Sequence, residues 1–302
     1  MKRRDILASA LGAAALGIAS SIASAQDKKK TVVIPRKPVA EPREMVYRTL
    51  GKTGIKVSVL GFGSHLSDEN LKDPKGRDRQ IQEALENGVN LFDIYDHSVF
   101  HQFAPMSKSL EGKRDRAVIS LVAVQPDVRK EVEGALRTFK TDHIDLYRIV
   151  YRDSDAHTKG DADLDILFKL RDEGKIRAVG VVAHDEPGVL YAVENKPVDY
   201  IMMPMNFRRN KGWTDDKPDT YAKVLPLCRE KGIGILGIKP MGGDTLVAFA
   251  QWAGFLGPKY RGPSYPKAAL RWLWKNDLLS SSLPSLNSVG EVWDGQIGRA
   301  HV

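Results

Sequence analysis

Eight apolar, β-rich segments alternate with helical patterns along most of this chain, and this alternation constrains the fold more than any other feature. The segments recur at intervals of roughly 25–40 residues. The predicted strands span residues 57–61, 89–94, 117–122, 144–150, 178–183, 200–203, 233–238 and 279–283. Continuous apolar strands separated by helices are typical of a parallel sheet that is covered on its outside. Eight such units predict an α/β protein with a closed (β/α)8 TIM barrel, whose functional residues lie at the carboxyl ends of the strands.

Amphipathic patterns between the strands support the same fold. The predicted helices span residues 79–87, 127–139, 163–173, 187–195, 220–231 and 265–276. Gly88, Gly174 and Gly232 stand where the carboxyl ends of helices favour glycine. An open doubly wound sheet is the alternative, but no Gly-rich dinucleotide-binding turn follows the first predicted strand.

Residues 1–25 have the composition of an export signal and are left out of the predicted fold. Lys2, Arg3 and Arg4 precede an Ala/Leu/Ile-rich stretch, and Ala23-Ser24-Ala25 is typical of a cleavage site. The adjacent arginines resemble a twin-arginine signal, which predicts export to the periplasm. An ordinary secretory signal or an uncleaved anchor is the alternative. The anchor is less favoured because a membrane span needs ~20 strongly apolar residues.

The remaining chain is predicted to be a flexible lead-in, residues 26–44, followed by one large domain, residues 45–302. The lead-in is charged and contains three prolines. Without residues 1–25 the net charge would be about +6, and much of that excess lies in the lead-in. Basic and aromatic residues are not interleaved, so nucleic-acid binding is not expected. Cys228 is the single cysteine, which excludes an internal disulfide and favours a small core residue.

Five segments carry a resemblance to a known family. They are residues 45–63, 87–93, 143–147, 174–180 and 234–243. Together they resemble the aldo-keto reductases, and the resemblance covers nearly all of residues 45–302. The Lys-Pro-x-x-Gly segment at 239–243 and residues 182–185 look most like a bacterial subgroup. The resemblance implies a short N-terminal β-hairpin before the barrel. By the same comparison, the chain ends at Val302, short of the loop that usually completes the family's substrate pocket.

The same resemblance implies reduction of carbonyl substrates by a nicotinamide cofactor, NADP or NAD, with an Asp, a Tyr, a Lys and a His at the barrel mouth. Asp93 matches the family aspartate. The positions of the family tyrosine, lysine and histidine hold Ser98, Val122 and Val150. A tyrosine with a pKa near 10 needs such neighbours to exchange protons near neutral pH. We therefore expect an oxidoreductase whose acid–base tetrad is lost or altered.

Replacement groups for the missing tyrosine occur close by. Tyr95, His97 and His101 all follow the second predicted strand. Tyr95 and His97 are therefore candidate catalytic residues beside Asp93, although an ordinary variable loop is the favoured explanation of these residues.

Expected cofactor contacts follow strands five, six and seven. The matching residues are His184, Asp185, Asn206, Lys239, Gly242 and Gly243. Backbone NH groups and a lysine suit an anion at the last three positions. Departures from the family lie at Val182, Met202, Met203 and Met205. The segment at 284–288 also lacks the basic residue that pairs with a 2′-phosphate.

Two further functional hypotheses remain beside that of an altered reductase. One is a catalytically inactive barrel that serves as a binding or partner module. The other is a barrel enzyme with a non-redox reaction that uses imidazoles at His65, His97, His101 and His184. Imidazoles near strand ends would also suit a metal site, but scattered surface histidines are the favoured explanation. Arg148, inside the fourth predicted strand, is unusual in a buried environment. If its side chain points into the barrel, it needs a carboxylate partner, and Asp93 is the candidate. Neither reading predicts a particular oligomer.

Overall fold

The computed structural model describes residues 44–63, 73–94, 102–151, 157–184, 186–207, 222–242, 265–286, 290 and 292. Two short strands form an antiparallel hairpin, β1 (Tyr47–Thr49) and β2 (Lys56–Ser58). Eight parallel strands follow: β3 (Phe62–Gly63), β4 (Leu91–Ile94), β5 (Val118–Ala123), β6 (Ile144–Val150), β7 (Ile176–Val182), β8 (Tyr200–Pro204), β9 (Gly234–Ile238) and β10 (Leu279–Leu283). The described helices are α1 (Pro74–Glu86), α2 (Phe103–Ser109), α3 (Val128–Phe139), α4 (His157–Asp172), α5 (Glu186–Asn195), α6 (Val224–Lys231) and α7 (Tyr265–Trp274), with a 3-10 turn at Arg114–Arg116.

The eight parallel strands form a barrel in which each strand pairs with its neighbours in chain order, from β3 to β10. Bridges from Leu60 to Ser282 and from Gly63 to Ser285 join the last strand to the first. The predicted (β/α)8 barrel and its N-terminal hairpin are therefore both confirmed.

Two boundaries near the beginning differ from the prediction. The first barrel strand is β3, whereas the predicted strand at 57–61 overlaps β2, which pairs with β1 instead. Helix α1 begins at Pro74, ahead of residue 79, because the Asp73 carboxylate caps it by accepting a hydrogen bond from the Gly76 amide at 2.8 Å. Proline is also well suited to the first position of a helix.

Helix α2 was not predicted. Its buried residues include Phe103 and Met106, and the Phe103 ring lies 5.7 Å from that of Phe139. A seven-residue helix has too few turns for a clear periodicity, so its packing against α3 decides its conformation.

Apolar side chains form two layers, one inside the barrel and one between the strands and the helices. The hairpin contributes Leu50, Ile55 and Val57 to the inner layer. Arg48 joins the hairpin to the segment between α7 and β10 by donating to the carbonyls of Trp274, Asn276 and Leu279 at 2.6–2.8 Å. A cation suits the carbonyls of Trp274 and Asn276 because they lie at the carboxyl end of α7.

The predicted core position of Cys228 is confirmed, since the residue is 1% exposed. Among the described helices, none is long and apolar enough to cross a membrane. The predicted export signal and nearly all of the predicted lead-in lie outside the described residues.

Candidate functional site

An ion pair lies inside the barrel between Asp93 on β4 and Arg148 on β6. Arg148 Nη1 donates to Asp93 Oδ1 at 2.6 Å and Nη2 donates to Oδ2 at 3.2 Å. Both residues are buried, with exposures of 6% and 4%. The fork of the guanidinium therefore engages both carboxylate oxygens, the arrangement in which arginine binds carboxylates most strongly. Arg148 therefore points into the barrel, and the hypothesis that it would then pair with Asp93 is confirmed.

Ser120 on β5 completes this pair. Its hydroxyl donates to Asp93 Oδ1 at 2.8 Å and accepts from Arg148 Nη1 at 3.0 Å. The same guanidinium nitrogen also lies 3.2 Å from the Leu121 carbonyl. Serine is small enough to leave room for the long arginine side chain to pass β5. The charges are therefore satisfied largely by one another, away from water.

A buried tyrosine lies against this cluster. Tyr200 on β8 is fully buried, and a side chain on Gly180 would place its Cβ 2.6 Å from the Tyr200 ring. Burial raises the pKa of the Tyr200 hydroxyl well above its usual value; the Asp93 charge adds to this, whereas Arg148 and Ser120 oppose it. The hydroxyl makes no well-formed hydrogen bond within the described part of the chain. A phenol held neutral and shielded from water is unsuited to proton exchange with a substrate.

The strand ends above this cluster are apolar. Val122 near the end of β5 and Val182 at the end of β7 are buried and belong to the inner layer, with exposures of 5% and 7%. Val150 ends β6 and is 40% exposed. Valine neither donates nor accepts a proton, so these positions at the mouth supply shape and no acid–base group.

A polar turn follows β9. Lys239 is exposed and has a φ of 52°, and the Gly242 amide donates to the Lys239 carbonyl at 2.9 Å. That carbonyl also accepts from the side chain of Asn206, which is buried after β8, at 3.1 Å. Three of the predicted cofactor-binding residues therefore lie together at the mouth. The φ of 67° at Gly242 explains why glycine stands there.

The other predicted site residues are separate or outside the described residues. His184 is exposed, two residues after the end of β7. Tyr95, His97, Ser98, Asp185 and Gly243 lie outside the described residues, as do His65 and His101. Replacement of the family tyrosine by Tyr95 or His97 thus stays a prediction.

Two members of the buried cluster escaped the sequence analysis, Ser120 and Tyr200. The available signal was a polar side chain within an otherwise apolar strand, Val118-Ile-Ser-Leu-Val122. Predicting that Ser120 contacts Asp93 also requires the β4–β5 register, in which these two residues are directly paired. That register is not readable from either strand alone.

Comparison with known sequences gives a consistent result. The model of the aldo/keto reductase family matches residues 59–252. L-galactose dehydrogenase from Arabidopsis thaliana is 25% identical over 281 residues, which cover 81% of this chain and 85% of that protein. The aldo-keto reductase YhdN from Bacillus subtilis is 29% identical over 156 residues, 45% of this chain and 46% of that one.

Solved structures share the fold at lower identity. The holo form of the aldo-keto reductase AKR11C1 from Bacillus halodurans superposes with a TM-score of 0.68 and 19% identity, covering 86% of this chain and 92% of that one. Its apo form gives a TM-score of 0.67 at 20% identity.

Proposed function

The chain belongs to the aldo/keto reductase family, and from this premise we propose that it is an oxidoreductase of the cell envelope with an altered acid–base tetrad. The observation that supports the alteration most is the engagement of Asp93 by Arg148 at 2.6 and 3.2 Å. In the family, by the resemblance above, the aspartate and a lysine together lower the pKa of the catalytic tyrosine. Here the cation that meets Asp93 comes from within β6.

Because the cation beside Asp93 comes from β6 and not from the position of the family lysine, the acid–base chemistry of the site is expected to differ. Arg148 is 4% exposed and its charge is directed at Asp93, so it contributes little to a proton donor at the mouth. Val122 and Val150 hold the positions of the family lysine and histidine and supply no proton. A general acid typically contributes about 10²–10⁴ in rate. We therefore expect turnover of carbonyl substrates by the ordinary tetrad mechanism to be slow or absent.

The described residues fit the anionic part of a nicotinamide dinucleotide better than its amide end. Lys239 is an exposed cation beside the turn closed by Gly242, and cations and backbone amides bind phosphate oxygens. At the amide end, Val182, Met202 and Met205 are buried apolar residues. When bound, NADP(H) or NAD(H) supplies or accepts the hydride, and the chain's part is to hold the phosphates and to shape an apolar mouth.

A second candidate is a barrel that binds a small molecule without transforming it. The observation that favours it is the apolar mouth formed by Val122, Val150 and Val182, in which Val150 remains 40% exposed. Apolar side chains that line a binding site favour the binding of apolar groups. A carbonyl substrate or another small-molecule ligand is the expected partner in either case.

The first experiment is a calorimetric titration of the purified protein with NADPH and NADH. Saturable one-to-one binding is expected, and no binding of either nucleotide up to about 1 mM would reject the reductase proposal. It would leave the binding module as the better candidate.

A second experiment tests the altered tetrad by rebuilding it. The variant Ser98→Tyr/Val122→Lys/Val150→His, with Arg148→Leu to free Asp93, is expected to reduce a panel of aldehydes and ketones at least about 10²-fold faster than the natural chain. Val124→Lys is the matched control, since Val124 follows β5 and is 41% exposed. Fast reduction by the natural chain, with no gain on rebuilding, would contradict the altered tetrad.

The cell-envelope location rests on residues 1–25. Expression in a bacterium followed by fractionation and N-terminal mass determination is expected to find a periplasmic protein that begins at Gln26. Replacing Arg3 and Arg4 by lysine is expected to retain it in the cytoplasm. Export that persists in this variant would instead favour the ordinary secretory signal.

A further inference from the structure

Arg77, in the first turn of α1, is a buried arginine with an unusual environment. It is 7% exposed. Nη1 donates to the Leu286 carbonyl at 2.8 Å and to Gln80 Oε1 at 3.0 Å, and the guanidinium lies 4.4 Å from the centre of the Phe62 ring. Within the part of the chain that the structure describes, Nη2 has no hydrogen-bond partner, and it is shielded from water. One side of the guanidinium is thus held by hydrogen bonds and by the Phe62 ring, while Nη2 makes no hydrogen bond with the described residues.

No carboxylate among the described residues pairs with Arg77. Three other buried or half-buried arginines have acidic partners: Arg148 pairs with Asp93, Arg114 with Asp145 and Arg171 with Asp199, each at 2.6–2.9 Å. Burial without a carboxylate lowers the pKa of Arg77 to about 10. A buried charge without a counter-charge is costly, and proteins seldom keep one without a use.

The position of Arg77 within its helix adds to this cost. The amino end of a helix carries a partial positive charge, which disfavours a cation and favours an anion. Helix α1 has no acidic residue in its first turn, and its cap, Asp73, approaches Arg79 at 3.8 Å. The local field around Arg77 is therefore suited to a negatively charged ligand.

Arg77 also lies where barrels of this type often bind phosphate, at the loops after the last two strands. Its contact with Leu286 places it against the segment that follows β10, and Ser285 in that segment is exposed. On the other side of β10 is β9, in which Ile238 pairs with Leu283, so that Lys239 comes next in the chain. Lys239 makes no ion pair within the described part of the chain. The end of β10 is therefore flanked by two cations that have no carboxylate partner among the described residues.

We propose that Arg77 is an anion-binding residue that receives a phosphate monoester at the end of β10, with Lys239 on the opposite side. The inference rests on the proposed function, in which the ligand is a nicotinamide dinucleotide. It assigns the extra phosphate of NADP(H) to Arg77, in place of the basic residue that the segment at 284–288 lacks. The guanidinium fork suits a phosphate monoester, whose several oxygens accept parallel hydrogen bonds.

The test measures dissociation constants for NADP⁺ and NAD⁺ by calorimetry, with the natural chain, Arg77→Met and Arg79→Met. Arg79→Met is a matched control because it makes the same change two residues further along α1, at a side chain that is 68% exposed. Arg77→Met is expected to weaken NADP⁺ binding roughly ten- to a hundredfold and NAD⁺ binding less than about twofold. Arg79→Met is expected to change either constant by less than about threefold.

Unchanged NADP⁺ binding in Arg77→Met overturns the proposal, and so does an equal loss for both nucleotides, because only NADP⁺ carries the additional phosphate. Thermal unfolding of the same variants distinguishes a loss of nucleotide binding from a loss of protein stability. Lower stability with unaltered NADP⁺ affinity would make Arg77 a packing residue. If Arg77→Met does not fold, Arg77→Lys replaces it, because it keeps the charge and loses the fork; selective weakening of NADP⁺ supports the proposal and unchanged affinity overturns it.

A separate measurement distinguishes this inference from the proposed function. If the natural chain binds neither nucleotide, the reductase proposal fails while the anion site is still testable with orthophosphate. Orthophosphate that raises the melting temperature of the natural chain, but not of Arg77→Met, supports a site for free phosphate. Equal shifts in the two proteins, or none in either, overturn the anion site as well.

Discussion

Arg148 Nη1 lies 2.6 Å from Asp93 Oδ1, although β6 and β4 are not neighbours in the barrel. The guanidinium crosses the intervening strand β5 at Ser120, whose hydroxyl lies 3.0 Å from Nη1. One buried ion pair thus joins three successive strands below the barrel mouth. Its effect on stability and on chemistry can be separated by mutation.

Arg148→Met is expected to lower the free energy of unfolding by about 3–5 kcal/mol, because it leaves the Asp93 carboxylate buried without its cation. Urea denaturation measures this change. Arg177→Met is the control, since Asp145 keeps the bond to Arg114 at 2.8 Å and the bond from the Ile119 amide at 3.0 Å. A loss below about 1 kcal/mol for Arg148→Met would contradict an uncompensated charge.

The double variant Asp93→Leu/Arg148→Met is expected to recover most of that loss. Removing both members of a buried pair avoids the unpaired charge, and apolar replacements of similar size are often neutral or stabilising. A double variant as unstable as Arg148→Met alone would indicate that barrel packing, rather than charge, determines the effect.

Gly180→Ala is expected to destabilise the protein by about 1–3 kcal/mol, because the added Cβ would lie 2.6 Å from the Tyr200 ring. Gly134→Ala in α3 is a control for which a change of stability in the opposite direction is expected. Its Cβ would meet nothing nearer than Arg137 Nη2 at 3.9 Å, and replacing glycine inside a helix is expected to stabilise by about 0.5–1 kcal/mol. Thermal unfolding of both variants should therefore give shifts of opposite sign. Two shifts of the same sign would count against the close approach of Tyr200 to β7.

Cys228 is expected to resist alkylation in the folded protein. Burial raises the pKa of its thiol to about 12, so the reactive thiolate is scarce near neutral pH. Mass spectrometry after treatment with iodoacetamide should find no adduct under native conditions and a single adduct in denaturant. Rapid labelling of the native protein would place the thiol at the surface, contrary to its 1% exposure.

Glu173 is expected to contribute a pH-dependent part of the stability. Hydrogen bonds from Arg129 and Lys175 lower its pKa from 4.5 to about 2. Because the folded-state pKa lies below the unfolded value, the contribution is complete above the unfolded pKa and is lost as the pH falls through the folded pKa. The difference in melting temperature between the natural chain and Glu173→Gln should therefore shrink between pH 6 and pH 3. The same difference at both pH values would argue against these hydrogen bonds in solution.

The sequence determined the architecture of this protein because the hydrophobic periodicity of each segment is a local property. Seven predicted strands overlap the barrel strands from β4 to β10. The prediction failed at the first strand because residues 56–58 pair with the hairpin, a choice that depends on contacts beyond the segment itself. It also missed α2, which is stabilised by contacts with α3.

By the resemblance to the family, the sequence alone also predicted valines at the positions of the lysine and the histidine, and it marked Arg148 as unusual in a buried strand. Only the tertiary structure decided which groups meet. The contact of Arg148 with Asp93, the close approach of Tyr200 to Gly180 and the burial of Arg77 against Leu286 all join residues that are 20 to 209 positions apart. Such contacts depend on strand register and on the closure of the barrel. These are collective properties of all eight strands, and no single segment encodes them.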